Sequence, residues 1–238
     1  MKNRELKRAA LASLDGKWSK YALLTLTYLL ISLAVFAVLF GISIWVDGGE
    51  IKEDSPSGNF ISIIYNFAAF PLVWSFIVIF LRNLRAATDD SYANLFDGYK
   101  QYARITFTMF LRGIYNALWA LLLIVPGIIK YYSYSMTDYV LHDNPELKYN
   151  GAIDRSMELM RGKKMKLFML DLSFIGWILL GILTCGIGML WVYPYWLTSR
   201  AAFYNDLLEE EAARTVGREP FVTGAEVVES ETPSAESN

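Results

Sequence analysis

The chain has 238 residues, 54% hydrophobic and 19% charged, with a formal net charge of −2 and a mean hydropathy of +0.29. Soluble domains run near roughly 45–50% apolar and about 25% charged, so this composition leaves the soluble class and points to the membrane class. A single cysteine, Cys185, excludes an intramolecular disulfide framework, and with only one histidine, His142, it excludes a zinc cluster.

The net charge hides an uneven distribution, which emerges along the chain. Residues 1–20 carry Lys2, Arg4, Lys7, Arg8, Lys17 and Lys20. The 26 residues between Lys20 and Asp47 hold no formal charge, nor do the 27 between Asp54 and Arg82. Each run exceeds the roughly 20 apolar residues that cross a hydrocarbon core about 30 Å thick, and the first is too long for the apolar core of a secretory signal. Spans are expected over 20–46 and 60–82. The loop between them, Asp47 to Asn59, has one basic residue, Lys52, whereas Arg82, Arg85, Lys100 and Arg104 mark the next. Lys148, Arg155, Arg161, Lys163, Lys164 and Lys166 mark the loop after that. The positive-inside rule then places the N-terminus and both basic loops in the cytoplasm, with the first loop outside.

An even number of crossings must therefore lie within residues 105–142. Thirty-eight residues make about 57 Å of helix, enough for two short spans. Pro126-Gly127 marks the turn, with proline in the first turn of the new helix, so 105–125 and 126–142 read as an in–out–in hairpin. The second arm, carrying Lys130, Asp138 and several tyrosines, either spans or re-enters, and both return the chain to the cytoplasm. Lys130 is expected to snorkel outward, and Asp143-Asn144-Pro145 reads as the following turn. The uncharged stretch Leu172–Ser199 is 28 residues long, with Thr184-Cys185-Gly186-Ile187-Gly188 near its middle. Two spans, 167–184 and 187–205, are preferred to one on the turn and length arguments. From Leu208 the chain becomes polar: Glu209, Glu210, Glu211, Glu219, Glu226, Glu229, Glu231 and Glu236 among Ser, Thr and Pro. Residues 209–238 are expected to be a disordered acidic cytoplasmic tail. The fold class is all-α: a polytopic membrane helical bundle of about six transmembrane helices over residues 1–208.

Two segments feed the hairpins. Tyr92, Leu95, Phe96, Tyr99 and Tyr102 share one helical face behind the capping candidates Thr88, Asp89, Asp90 and Ser91. Ile153, Met157 and Met160 form a narrower face opposite Asp154, Arg155, Glu158 and Arg161. Both read as amphipathic helices in the cytoplasmic interface, in preference to solvated connectors, and Arg4–Trp18 is a third, less regular candidate. The hairpins also resemble each other: Gly127–Tyr134 aligns with Gly188–Tyr195, and Gly98 with Gly162, which fits either a parallel duplication or chance similarity in an aromatic-rich chain.

Four ionisable residues, Arg112, Asp138, Asp171 and Arg200, fall within the expected spans about 7–12 Å from the cytoplasmic boundary. An unpaired charge at a span centre costs at least about 2.5–3.5 kcal/mol, so they pair across helices around a water-accessible vestibule, with Asn116 deeper in its wall, or snorkel singly. No G-x-S-x-G, H-E-x-x-H, Walker or G-x-G-x-x-G pattern occurs. His142 and Asp143 are adjacent in sequence, without a nucleophile or metal partner. No catalytic residue, cofactor or metal site is indicated, and the short basic runs are explained by topology, so nucleic acid is not indicated either.

Val125-Pro-Gly-Ile-Ile-Lys-Tyr-Tyr-Ser-Tyr-Ser-Met136, Asp143-Asn-Pro-Glu-Leu147, Ala152-Ile-Asp-Arg-Ser156, Leu159-Met-Arg-Gly162 and Leu170-Asp-Leu-Ser-Phe-Ile-Gly-Trp177 resemble the bacterial membrane family known as domain of unknown function 975. Leu183-Thr, Gly186-Ile-Gly188, Tyr193-Pro-Tyr195, Ala202-Phe-Tyr204, Leu6-Lys-Arg-Ala9 and Trp18 extend the resemblance over about residues 1–208. It implies a multi-pass bacterial plasma membrane protein and carries over no catalytic residue. Three functions remain open. The first is a non-enzymatic protein binding membrane lipids, a membrane protein partner or a second copy of itself. The second is a small transporter or transporter subunit, and the third a lipid-modifying enzyme drawing on Asp138, His142, Asp143 and Asp154.

Overall fold

The computed structural model describes residues 2–49, 56–86 and 92–216, and every element among them is helical. Helix α1 (Asn3–Leu14) is closed at its start by the Lys2 backbone N–H donating to Glu5 Oε2 at 2.8 Å. Its buried residues, Leu6, Ala10 and Leu14, recur every fourth position. Lys7 Nζ donates to Ser173 O at 3.2 Å and lies over the Phe174 ring. The N-terminal candidate for an interfacial helix is thus docked on the bundle.

Helix α2 (Trp18–Val46) is 29 residues long and apolar on every side, with Trp45 81% exposed. Helix α3 (Pro56–Ala86) carries Pro71, whose missing N–H frees carbonyls in the preceding turn. These are met from the 3-10 helix Tyr92–Gln101 and its continuation, since Tyr99 Oη donates to Ala68 O at 2.7 Å and Tyr102 Oη to Phe67 O at 3.3 Å. The five-residue face expected over 92–102 is split in consequence. With three residues per turn, Leu95 and Gly98 are buried while Tyr92, Phe96, Tyr99 and Tyr102 stay exposed. The proposed caps at 88–91 lie outside the described residues. Gly98 is required at its position: a Cβ would sit 2.3 Å from the Pro71 carbonyl oxygen.

Helices α4 (Tyr102–Leu122) and α5 (Ile124–Ser133) form the first hairpin, turning where Pro126 occupies the first turn of α5. The Lys130 Nζ lies 4.8 Å from the Trp119 ring across this hairpin. The arm expected as one span over 126–142 is interrupted. The chain breaks at Tyr134–Met136 before the seven-residue α6 (Thr137–Asp143), and Ser156 holds the break. That hydroxyl accepts from Met136 N–H at 3.2 Å and donates to Ser133 O at 2.9 Å. The end of α6 is capped by Arg104, whose guanidinium donates to the carbonyls of Leu141, Asn144, Pro145 and Leu147.

Ser156 belongs to α7 (Asn150–Leu159), which buries Ala152, Ile153 and Leu159 and leaves Asp154 and Glu158 exposed. Helices α8 (Lys164–Leu172) and α9 (Ile175–Leu183) make the ascending arm of the second hairpin. Its turn uses left-handed Cys185 and Gly186 (φ 54° and 85°), and α10 (Met189–Val216) returns. Both hairpins cross closely at a glycine. A Cβ on Gly127 would lie 2.9 Å from Ala120 Cα, and one on Gly188 3.0 Å from Gly181 Cα, each partner being seven residues earlier. Gly98 and Gly162, by contrast, differ: the first lies against α3, the second takes φ +72° with open space around it.

Four stretches are long and apolar enough to cross a membrane: Trp18–Val46, Gly58–Arg85, Tyr92–Leu122 and Lys164–Leu183. The arms expected over 126–142 and 187–205 are not among them, because the first is broken and the second is too polar around Arg200. The surface is apolar where a soluble protein's is polar, with Leu121 89% and Leu183 80% exposed, while Asp138, Arg104, Arg200 and Asp206 are buried. Residues 209–216, assigned to the tail, continue α10. Glu211 receives Arg155 at 2.5 Å, Glu210 pairs with Lys163, and Asp206 pairs with Lys166 at 2.7 Å. The remainder of the tail, 217–238, lies outside the described residues.

Candidate functional site

Two of the buried charges, Asp138 and Arg200, line one cavity of about 200 Å³ among α3, α4, α5, α6 and α10. Its wall is Ile77 from α3, Arg112 and Asn116 from α4, Tyr131 from α5, Tyr134 and Ser135 from the break, Asp138 and Tyr139 from α6, and Tyr193, Trp196, Leu197 and Arg200 from α10. Four of the five residues expected in a polar layer, Arg112, Asn116, Asp138 and Arg200, therefore line one space. Arg112 Nη1 donates to Asp138 Oδ2 at 2.7 Å, with the two side chains 20% and 7% exposed. This is a cross-helix pair, and neither guanidinium snorkels, Arg200 being 7% exposed overall.

Asp171 stands behind the wall. It accepts a hydrogen bond from Trp196 Nε1 at 2.8 Å, and the Arg200 guanidinium lies 4.8 Å from the Trp196 ring. Among the described residues no carboxylate is in ion-pair contact with Arg200, and the Tyr131 phenol lies beside it. Two acceptors of the cavity wall, Asn116 Oδ1 and Asp138 Oδ1, are buried without a hydrogen-bond partner among the described residues. Most such atoms in folded chains are satisfied. Trp74 Nε1 donates to the Asp138 backbone oxygen at 3.0 Å, fixing the start of α6 from α3.

Sequence reasoning missed Trp196, Ser156 and the four tyrosines of the wall. The available signal was the clustering of tyrosines on the second arms, and it identified them unevenly: Tyr134 and Tyr193 line the cavity, whereas Tyr132 and Tyr195 do not. Of the acid–base candidates, Asp138 is paired with Arg112 and Asp154 is exposed on α7. Asp143 is held by both Arg85 nitrogens, at 2.6 and 2.7 Å, and by Tyr204 Oη at 2.9 Å, while His142 packs beside Trp74.

On the other side of α10 a second cavity, about 410 Å³ and almost wholly apolar, is lined by Leu11, Trp18, Trp177, Leu180, Trp191 and Tyr195 among others. At the end of α10 the Lys163 ammonium holds the Glu210 carboxyl below its ordinary value. Burial pushes the Asp206 carboxyl up, but its pairing with Lys166 prevails and holds it low.

These features define an all-helical bundle with four helices long and apolar enough to cross a membrane and a charged cavity inside. Within that class, residues 121–211 match the model of the family described as protein of unknown function, DUF975, which bears out the resemblance in the motifs from Val125 to Tyr204. The match takes in Asp138, Asp171 and Arg200 and begins after Arg112 and Asn116. No curated protein and no solved structure matches the chain.

Proposed function

We propose that this chain is an integral protein of the bacterial plasma membrane that crosses six times, with both termini in the cytoplasm. We further propose that it binds membrane lipid non-enzymatically through the cavity between α4, α6 and α10. The observation that carries the reading is the cavity itself: two guanidiniums, a carboxylate and four phenols gathered in a bundle whose outside is apolar. Charges at such depth are costly unless they are paired or serve a ligand. In this reading the arms 126–142 and 187–205 are the polar pair of spans, screened from lipid by the four apolar ones. The exposed aromatic row Phe96, Tyr99 and Tyr102 lies in the cytoplasmic interface. The apolar cavity beside Trp18, Trp177 and Trp191 suits acyl chains.

Gentle extraction of the full chain, followed by analysis of co-purifying lipid, tests the reading. Wild type is expected to retain lipid that Arg200→Gln loses, and equal lipid content in the two overturns it. One observation favours a transporter as the second reading. The break at Tyr134–Met136 places Tyr134 and Ser135 in the cavity wall, and interrupted helices commonly form transport sites. Solute flux in proteoliposomes that is abolished by Arg112→Gln supports that alternative.

A further inference from the structure

The charges around the cavity balance. Arg112 is in contact with Asp138, and Trp196, against whose ring Arg200 lies, donates to Asp171. A ligand of net charge would leave one charge uncompensated in a low-dielectric interior. The local demands are nonetheless of two kinds. Asp138 Oδ1, on a residue 5% exposed, and Asn116 Oδ1 are buried acceptors without a donor among the described residues. Arg200 is a fork of five donors with the Tyr131 phenol beside it and no carboxylate in contact among the described residues. One wall of the cavity asks for a cationic donor and another for an acidic acceptor, in a space too small for a whole lipid.

We infer that the cavity binds a zwitterion, a primary ammonium joined by a short chain to a phosphate or carboxylate. The ammonium sits against the Asp138 carboxylate and the Asn116 amide, and the acid group on Arg200. This rests on the cavity's being a binding site and adds the chemistry of its ligand. An ammonium carries three donors, enough for both orphan acceptors with one left for a phenol oxygen. The same chemistry is offered by an aminophospholipid head group and by a free amino acid or aminoalkyl phosphate.

Titration calorimetry on the full chain in detergent compares O-phosphoethanolamine and glycine with their halves, ethanolamine, inorganic phosphate and acetate. In parallel, the protein is placed in nanodiscs of phosphatidylcholine doped with phosphatidylethanolamine or phosphatidylglycerol, and retained lipid is measured. At least one zwitterion is expected to bind ten times more tightly than either of its halves. Asn116→Ala should reduce it toward the acid half alone, and Arg200→Gln toward ethanolamine alone. Should the Arg200→Gln chain fail to fold, Arg200→Lys keeps the charge without the fork and is expected to weaken binding about fivefold. Enrichment of phosphatidylethanolamine marks the head group as the source, and tight soluble binding without such enrichment marks a free metabolite. Either result supports the inference. If inorganic phosphate binds as well as O-phosphoethanolamine, or phosphatidylglycerol is preferred with loss in Arg200→Gln, the zwitterion is overturned and the binding site stands. If no probe or lipid distinguishes wild type from the variants, both fall.

Discussion

Replacing Arg112 by methionine keeps most of the side-chain volume and removes one half of the buried pair. The carboxylate it leaves is 7% exposed, and its other oxygen, Oδ1, already has no partner among the described residues. Asp138 would thus lose its charge-assisted hydrogen bond and gain nothing. Removing one partner of a buried pair costs about 3–5 kcal/mol. Because Arg112 itself is 20% exposed, the lower end applies, about 3 kcal/mol. Asp138→Asn should cost less, about 1–2 kcal/mol, because a guanidinium at that exposure still finds solvent or an amide oxygen. The double variant Arg112→Met/Asp138→Asn buries no unpaired charge. It should recover much of the loss, with a coupling of about 2 kcal/mol. Equilibrium unfolding in mixed micelles, followed by tryptophan fluorescence, measures all four corners of the cycle. A coupling below about 0.5 kcal/mol would refute the pairing as an energetic element of the site.

Other consequences are as direct. Gly98→Ala places a methyl 2.3 Å from a backbone oxygen that cannot swing away, so unfolding should show a loss of about 1–3 kcal/mol, and an unchanged midpoint would contradict the close approach. Ser156→Ala removes both hydrogen bonds that hold the α5–α6 break. It should cost about 1–3 kcal/mol and raise amide exchange at Met136 more than in α3. Glu210 and Asp206 are held below their ordinary values of 4.5 and 3.8 by lysines. Their contribution is therefore full above about pH 4.5 and is lost as pH falls through the lower folded values. The stability gap between wild type and Glu210→Gln should be constant from pH 7 to 5 and close toward pH 3.

What the sequence made legible follows from local chemistry. Pro126-Gly127 and Cys185-Gly186 mark the hairpin turns because proline and the left-handed conformation act within a few residues. The charged layer was legible because ionisable side chains are rare in apolar runs, and four of its five members share one cavity. The break at Tyr134-Ser135-Met136 was not legible. It contains neither glycine nor proline, and is held by a hydroxyl from twenty residues further on. Nor was the extension of α10 through Glu209–Glu211. A run of glutamates resembles a solvated tail until Arg155 of α7, Lys163 just before α8 and Lys166 of α8 are brought against the end of α10. The arm 187–205 illustrates the same limit: its Arg200 looks like an interruption in sequence and becomes a wall of the cavity only when α4 and α6 pack across it.

Six crossings place the α9–α10 turn outside the cell, and that turn holds the chain's one cysteine, Cys185, which is exposed. Intact cells expressing the wild-type chain can be treated with a membrane-impermeant maleimide, with Cys185→Ser as the blank. The account predicts labelling before permeabilisation, equal to that seen after it. Labelling that appears only once the membrane is opened would put the turn on the cytoplasmic side and contradict the six-span bundle.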